Sequence, residues 1–445
     1  MNFNDSPAEA RFRASARAWI AANAPHELAP ELRSLGFAPD SLRHADLLAE
    51  SRKWQARKAA AGWACLHWPE RFGGRNASPI ERLIWKQEEG PFGHLSHLFF
   101  IGENMCGPTL MEFANDAQCQ RYLPKLASAE EIWCQLFSEP AAGSDLAGIH
   151  TRAVRDGEEW VIDGQKVWTS GAHLSDFGLL LTRTDPTAVK HKGLTMFFVD
   201  MRSPGIDIRP IRQANGGAEF NEVYFTGVRI PDSQRLGAPG EGWKVALTTL
   251  MNERLSHGTG MPTGFDAFFD LCCTLPLGDG VAVDDSEVRA RLADWAARDS
   301  GLRITGLRLI GGLEPGALPG PESSMGKLVA ASLMQEIAGF AVELQGMSGL
   351  LTGDDQPLAD ARFQTMLLRS PATRIEGGTD EILRNIIAER VLGLPADLRA
   401  DKNVPFNTIG QPVNGRAAIE QATNGQRSVQ FDCGYARSLA PQKGR

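Results

Sequence analysis

The chain has 445 residues, 42% hydrophobic and 22% charged, an ordinary globular balance that excludes a mostly disordered protein and leaves room for two or three domains. A net charge of −8 argues against a dedicated nucleic-acid binder, which needs a basic face. Seven scattered cysteines without zinc or thioredoxin spacing read as reduced thiols in a cytoplasmic setting, the charged start MNFNDSPAEARFRASARAW has no apolar signal core, and no uninterrupted apolar stretch approaches membrane-spanning length.

Residues 1–133 read as helical. An Ala- and Arg-rich helix is predicted from Ala8 to Asn23, stopped by Pro25, and a second from Asp46 to Gly62. The stretch WPERFGGR (Trp68–Arg75) reads as a glycine-rich loop, and Pro79 opens another helix near its N-terminus, where proline is tolerated. Over 134–240 the apolar period changes to two. Asp156–Gly157 marks a hairpin and Asp163–Gly164 a second turn; strands are expected at Leu179–Leu181, Met196–Val199, Ile206–Ile208 and Val223–Ile230. Over 241–395 helical spacing returns, with Trp243, Leu247, Leu250 and Arg254 on one run and Val329, Leu333, Ile337, Phe340 and Leu344 on another. A short last helix spans Glu381–Val391. Residues 396–445 have no periodicity and read as a poorly ordered tail. The order helical–β–helical predicts an α+β multidomain protein.

Signatures for nucleotide P-loops, Rossmann dinucleotide sites, zinc proteases and serine hydrolases are missing. His94 and His97 lie three apart, but no further cluster completes a metal site, so no metal is expected. The densest segment is Gln135–Asp145, QLFSEPAAGSD, at the handover to the β region. Its small residues let a backbone approach a flat ligand closely, while its serines offer hydroxyls. An isolated SEP or GSD is usually only a capped turn.

Followed by KVWTSG (Lys166–Gly171), the string resembles the flavin segments of the FAD-dependent acyl-CoA dehydrogenases, and GEGWKVALTTLMNERL (Gly240–Leu255) and IEGGTDEILRNIIAERVLGLP (Ile375–Pro395) resemble two further signatures of that family. The resemblance covers roughly residues 5–395. It implies an N-terminal helical domain, a middle β barrel-like domain and a C-terminal four-helix bundle. It also implies FAD between the last two, lipid metabolism of the fatty-acid β-oxidation type, an electron-transfer flavoprotein as acceptor, and a homo-oligomer (dimer or tetramer) or a hetero-oligomer with a related chain. By this resemblance Leu136, Phe137, Ser138, Gly143, Ser144, Trp168, Thr169, Ser170, Glu343, Gly346, Thr379 and Glu381 bind the cofactor. Glu381 stands where the family usually has Gln. Ser144, Arg254 and Gly377 contact the acyl-CoA substrate.

The implied reaction removes a proton next to the thioester carbonyl and hydride from the next carbon. Such a proton is too weakly acidic for a carboxylate in water, so the site must stabilise enolate-like charge and raise the base's pKa by burial. Many relatives carry the base as Glu immediately before Gly-Thr. Here that place holds Gly377, and Glu376 comes one residue early. A minority, resembling isovaleryl- and long-chain-type enzymes, place it on the helix after the β domain as Glu-Arg-Leu. This chain has Glu253–Arg254–Leu255, which makes Glu253 the expected base. The hydrogen at 377 in place of a side chain is expected to leave space for a long, branched or ring-bearing acyl group. The family's RxxFG is absent from the region LPLGDGVAVDDSEVRARLADWAARD. Other residues take over its role, flavin is held less tightly, or a partner chain completes the site. The alternative readings are a non-catalytic or half-site subunit of a heteromeric acyl-CoA dehydrogenase and an acyl-CoA oxidase.

Overall fold

A computed structural model describes residues 4–34, 45–257, 262–312, 320–351, 358–397, 401 and 403–409. The first region holds helices α1 (Pro7–Asn23), α2 (Ala29–Ser34), α3 (Ala45–Ala60), α4 (Pro79–Glu89), α5 (Gly93–Ser96), α6 (Gly107–Phe113) and α7 (Asp116–Ala127). Three of them start on reciprocal caps, Ser6 with Glu9, Ser78 with Glu81 and Asn115 with Gln118, each satisfying otherwise orphaned backbone N–H groups. Tryptophans fill the space between these helices, with Trp63 and Trp85 stacked at 4.7 Å. The predicted loop at Trp68–Arg75 contains one tight turn, Glu70–Phe72.

The middle region is an eight-stranded sheet of β1 (Trp133–Leu136), β2 (Arg152–Asp156), β3 (Glu159–Ser170), β4 (Phe177–Arg183), β5 (Leu194–Asp200), β6 (Ile206–Pro210), β7 (Phe220–Pro231) and β8 (Arg235–Leu236). The order is β6-β7-β3-β2-β4-β5-β8, with β1 parallel to β4. Side chains alternate across a strand. Leu179, Leu181, Met196 and Phe198 therefore pack against the first helical region, while Leu180, Phe197 and Val199 fill the sheet's own interior. Both faces of β4 and β5 are buried, which explains their unbroken apolar runs.

Asp156–Gly157 is a hairpin turn as predicted, but Asp163–Gly164 is not a turn. β3 runs straight through it, with a register shift against β7 between Ile162 and Gly164. A side chain at Gly164 would collide with Thr151, and the Asp163 carboxylate accepts the Gly227 N–H at 2.9 Å, so the pair forms a bulge that bends the strand.

The last region comprises α8 (Gly242–His257), α9 (Phe265–Thr274), a small hairpin β9 (Pro276–Leu277)–β10 (Gly280–Val281), α10 (Ser286–Gly311), α11 (Ser324–Leu344), α12 (Arg362–Thr373) and α13 (Asp380–Ile386). The hairpin occupies the stretch where RxxFG is missing. α8 packs Val245 and Ala246 into the core shared by the first two regions, and Thr249 meets Thr109 at 2.9 Å. By length and composition Pro321–Leu344 is long and apolar enough to cross a bilayer; in the fold Leu333, Met334, Ile337, Ala338 and Ala341 are buried in the bundle core. Six cysteines among the described residues are free, five of them buried.

The tail departs from expectation where it is described. Pro405 bridges Val189, and the N–H groups of Phe406 and Asn407 donate to the carbonyls of Ala188 and Pro186 at 3.0 and 2.9 Å. The Phe406 ring lies 3.4 Å from the Arg183 guanidinium, and Asp401 pairs with Lys190. One aromatic anchor in a polar segment makes contact without making a period. Residues 410–445 lie outside the described residues.

Candidate active site

β1 ends at Leu136 and enters a tight turn in which Glu139 and Ala142 exchange backbone hydrogen bonds at 3.1 and 3.0 Å. Glu139 fixes the turn from beneath. It accepts the N–H groups of His150 and Thr151 at 2.6 and 2.9 Å and pairs with Lys166 at 2.8 Å. Burial works against the Glu139 charge, but Lys166 and these donors hold its carboxyl below the usual range. Burial pushes the Lys166 ammonium down to about 8 against the pull of Glu139. Gly143, Ser144 and Asp145 are left exposed on the rim.

The same lysine knits the first predicted flavin segment to the second. Lys166 Nζ donates to the Phe137 carbonyl and the Val167 N–H to the Ser138 carbonyl, each at 2.9 Å. Leu136, Phe137 and Ser138 are thereby brought beside Trp168, Thr169 and Ser170. Trp168 has a left-handed backbone (φ 60°) and is 58% exposed, an unfavourable state for a large side chain that costs about 1–2 kcal/mol. Such strain collects where a ligand is held. The Thr169 hydroxyl is buried and has no hydrogen-bond partner among the described residues. An exposed indole beside a buried orphan hydroxyl, on a backbone flanked by small residues, fits a flat heteroaromatic cofactor with polar ring edges.

From Trp168 a chain of contacts leads into the bundle. Its ring meets Phe220 edge-on at 6.1 Å, the Arg369 guanidinium lies 5.6 Å from Phe220, and Arg369 donates to Glu376 at 2.7 Å. Gly377 and Gly378 follow, both left-handed (φ 63° and 99°). A Cβ placed on Gly377 would lie 3.6 Å from Oε1 of Glu253, which reaches across from α8. From the first helical region, Leu98 comes within 3.6 Å of the position a Cβ on Gly171 would take, at the end of KVWTSG. Three regions therefore meet here.

Not all predicted residues join this cluster. Thr379 caps α13, its hydroxyl accepting the Ile382 N–H at 3.2 Å, with exposed Glu381 two residues on. Glu343 and Gly346 are exposed at the C-terminal end of α11. With 1.5 Å of rise per residue, Glu343 stands about 24 Å along that helix from Lys327, which touches the glycine turn. Arg254 lies on α8, but its side chain is outside the described residues. Around the place a Cβ on Gly377 would take, the Glu253 carboxylate oxygen is, chain neighbours aside, the one atom within 4 Å among the described residues.

Four participants are not named by the sequence: Leu98, Phe220, Arg369 and Lys327. Lys327 leaves a signal, being the lone charge between Glu322 and Glu336. Among the described residues no group of three His, Cys, Asp or Glu side chains is arranged to hold a metal ion.

A helical–β–helical fold with a carboxylate set against a glycine turn, beside a site that fits a flat cofactor, is the arrangement a flavin-dependent dehydrogenase requires. Residues 6–130, 134–228 and 240–392 match the N-terminal, middle and C-terminal domains of acyl-CoA dehydrogenase. The chain is 39% identical over 390 residues to acyl-CoA dehydrogenase IpdE1 of Mycobacterium tuberculosis, covering 87% of this chain and 98% of that one. It is 40% identical over 346 residues to FadE34 of the same organism, covering 77% and 46%. Among solved structures it resembles the Tcur3481-Tcur3483 steroid ACAD (TM-score 0.77, 27% identity, 89% and 100% covered) and the Mycobacterium tuberculosis ChsE4-ChsE5 complex (0.75, 28%, 89% and 100%). The chain belongs to the acyl-CoA dehydrogenase family. It is an FAD-dependent oxidoreductase that dehydrogenates an acyl-CoA thioester between its α and β carbons.

Proposed function

We propose that Glu253 is the base that removes the α-proton. The observation that carries this is the 3.6 Å between its carboxylate oxygen and the Cβ position of residue 377. The carboxylate arrives from α8 at the place where a side chain on the turn would otherwise begin. FAD, when bound against Trp168–Ser170, supplies the hydride acceptor for the β-carbon. The Gly377 N–H donates to the thioester oxygen, so negative charge developing there as the proton leaves is met by a fixed donor. Glu253 takes the proton at its carboxylate. Arg369 holds Glu376 aside, so the neighbouring acid does not compete.

Leu136, Phe137, Ser138, Gly143, Ser144, Trp168, Thr169 and Ser170 hold the cofactor, with the Thr169 hydroxyl free to meet a ring edge, and Thr379 and Glu381 approach it from the start of α13, just after the glycine turn. Ser144 and Arg254 hold the acyl-CoA. Glu343 and Gly346, exposed far along α11, serve a flavin bound by a neighbouring copy or a related chain. Electrons pass to an electron-transfer flavoprotein, in a reducing, cytoplasmic compartment that suits the free buried cysteines. The substrate is a bulky, ring-bearing acyl-CoA. Support comes from relatives that include a steroid ACAD and a cyclohexane-1-carbonyl-CoA dehydrogenase.

Rapid mixing with acyl-CoA tests the base. Glu253→Gln keeps the shape but cannot accept the proton, so bleaching of the flavin band should slow by about 10²–10⁴-fold at unchanged flavin content, whereas Glu376→Gln should be mild. Swapped phenotypes would move the base to 376. In the same assay butanoyl-CoA should react more slowly than a cyclohexanoyl or steroid-derived thioester; the reverse order would refute the bulky substrate. Rapid reoxidation by oxygen without the electron-transfer flavoprotein would make the enzyme an oxidase.

A further inference from the structure

Lys327 sits near the start of α11 with only 5% of its surface exposed, and its ammonium donates to the carbonyl of Gly378 at 2.7 Å. Burying an ammonium is expensive unless its charge is used, and a hydrophobic residue of similar length would pack at less cost. Four charged groups on the surrounding elements act on it electrostatically: Asp380 on α13, Glu376 on the turn, Arg374 after α12 and Glu253 on α8. Two of the acids are tied to arginines. Arg374 Nε donates to Asp380 at 2.7 Å, and Arg369 holds Glu376. Lys327 thus holds the carbonyl of the residue next to Gly377, and the Glu253 carboxylate stands against Gly377 itself, so the two charges approach the same turn. Burial lowers its pKa from the usual lysine value, opposed by the acids around it.

We propose that Lys327 is a positioning residue for proton abstraction: it pins the left-handed Gly377–Gly378 turn through the Gly378 carbonyl, and its positive charge favours the carboxylate form of Glu253. The inference rests on the reading of Glu253 as the base. Pinning matters because the Gly377 N–H serves the reaction only if the turn keeps its orientation, and small losses of alignment are costly. The charge matters because an opposite charge close by holds a carboxyl in its ionised, proton-accepting form.

The test uses the flavin-loaded protein and two readouts. The first is the pH dependence of flavin bleaching on rapid mixing with acyl-CoA. The second, independent of turnover, is hydrogen–deuterium exchange of the segment 374–383. Lys327→Met should move the acidic limb of the rate profile to higher pH and speed exchange in the turn. Lys327→Arg, which keeps charge and donor, should restore the limb. Lys327→Gln keeps a donor without charge, so its limb should stay shifted while the turn is better protected than in the Met variant. The Gln variant carries the pH reading if the Met variant does not fold. Wild-type limbs and wild-type exchange in both uncharged variants would overturn the inference, and would leave the base reading standing if Glu253→Gln has lost reduction. Retained reduction in Glu253→Gln would instead overturn the base reading itself.

Discussion

A carboxylic acid shut away from water keeps its proton, and Glu103 is such a case. It is buried between α5 and α6, where Gln55 donates to its carboxylate and Trp68 to its carbonyl at 3.0 Å. Burial raises its pKa from 4.5 to about 7, against the pull of Lys58 and Arg82. The folded chain then binds more protons at this site than the unfolded chain between about 4.5 and about 7, so the group's contribution to stability falls as pH rises through that window. His67, pushed down by burial, changes stability in the opposite sense at the acidic end, so comparison with a variant isolates Glu103. Glu103→Gln should gain on the wild type in melting temperature on going from about pH 5 to about pH 8; a constant difference would mean Glu103 ionises freely in the fold. Single residues differ in how plainly they read from sequence. The place of Glu253 beside the glycine turn is legible because Glu-Arg-Leu and the glycine at 377 point the same way. Phe220 and Arg369 are not, because their role is to meet across a domain boundary that no local spacing encodes.

Elements that depend on period or punctuation are legible in the same way. Pro25 after the first helix, Pro79 at the start of another, and the alternation of β4 and β5 follow from backbone physics acting over a few residues. Asp163–Gly164 misleads because the dipeptide that suits a hairpin turn also suits a bulge, and only the passage of Thr151 close to Gly164 decides between them. The strap at 403–409 misleads for the opposite reason, since one ring carries it. Phe406→Ala removes the contact with Arg183 and the edge contact with His150 at 5.1 Å, and should cost about 1–2 kcal/mol of local stability. Hydrogen exchange should quicken at residues 186–190, where the strap's backbone bonds end, as it should on truncation after residue 400. Unchanged exchange in both would show that the strap contributes nothing to holding that loop.

At the scale of the whole molecule, the site exists only because α8 buries one side in the core of the first two regions and carries Glu253 to the turn of the third. The family fold is legible from four motifs in order, but this convergence is not, since it depends on the packing of three regions. The β9–β10 hairpin standing where RxxFG is missing leads to a further expectation. Expressed alone, the chain should retain flavin poorly, and co-expression with a related acyl-CoA dehydrogenase chain should raise the flavin content. Full stoichiometric FAD in the chain alone would show that its own residues replace the motif. The carboxylate's place in space, not its place in the chain, performs the chemistry. Moving it is therefore decisive: Glu253→Gly should abolish flavin bleaching by acyl-CoA, and adding Gly377→Glu should return it to within about 10²-fold of wild type despite the strained backbone at 377. Bleaching that survives in Glu253→Gly alone would rule out Glu253 as the base.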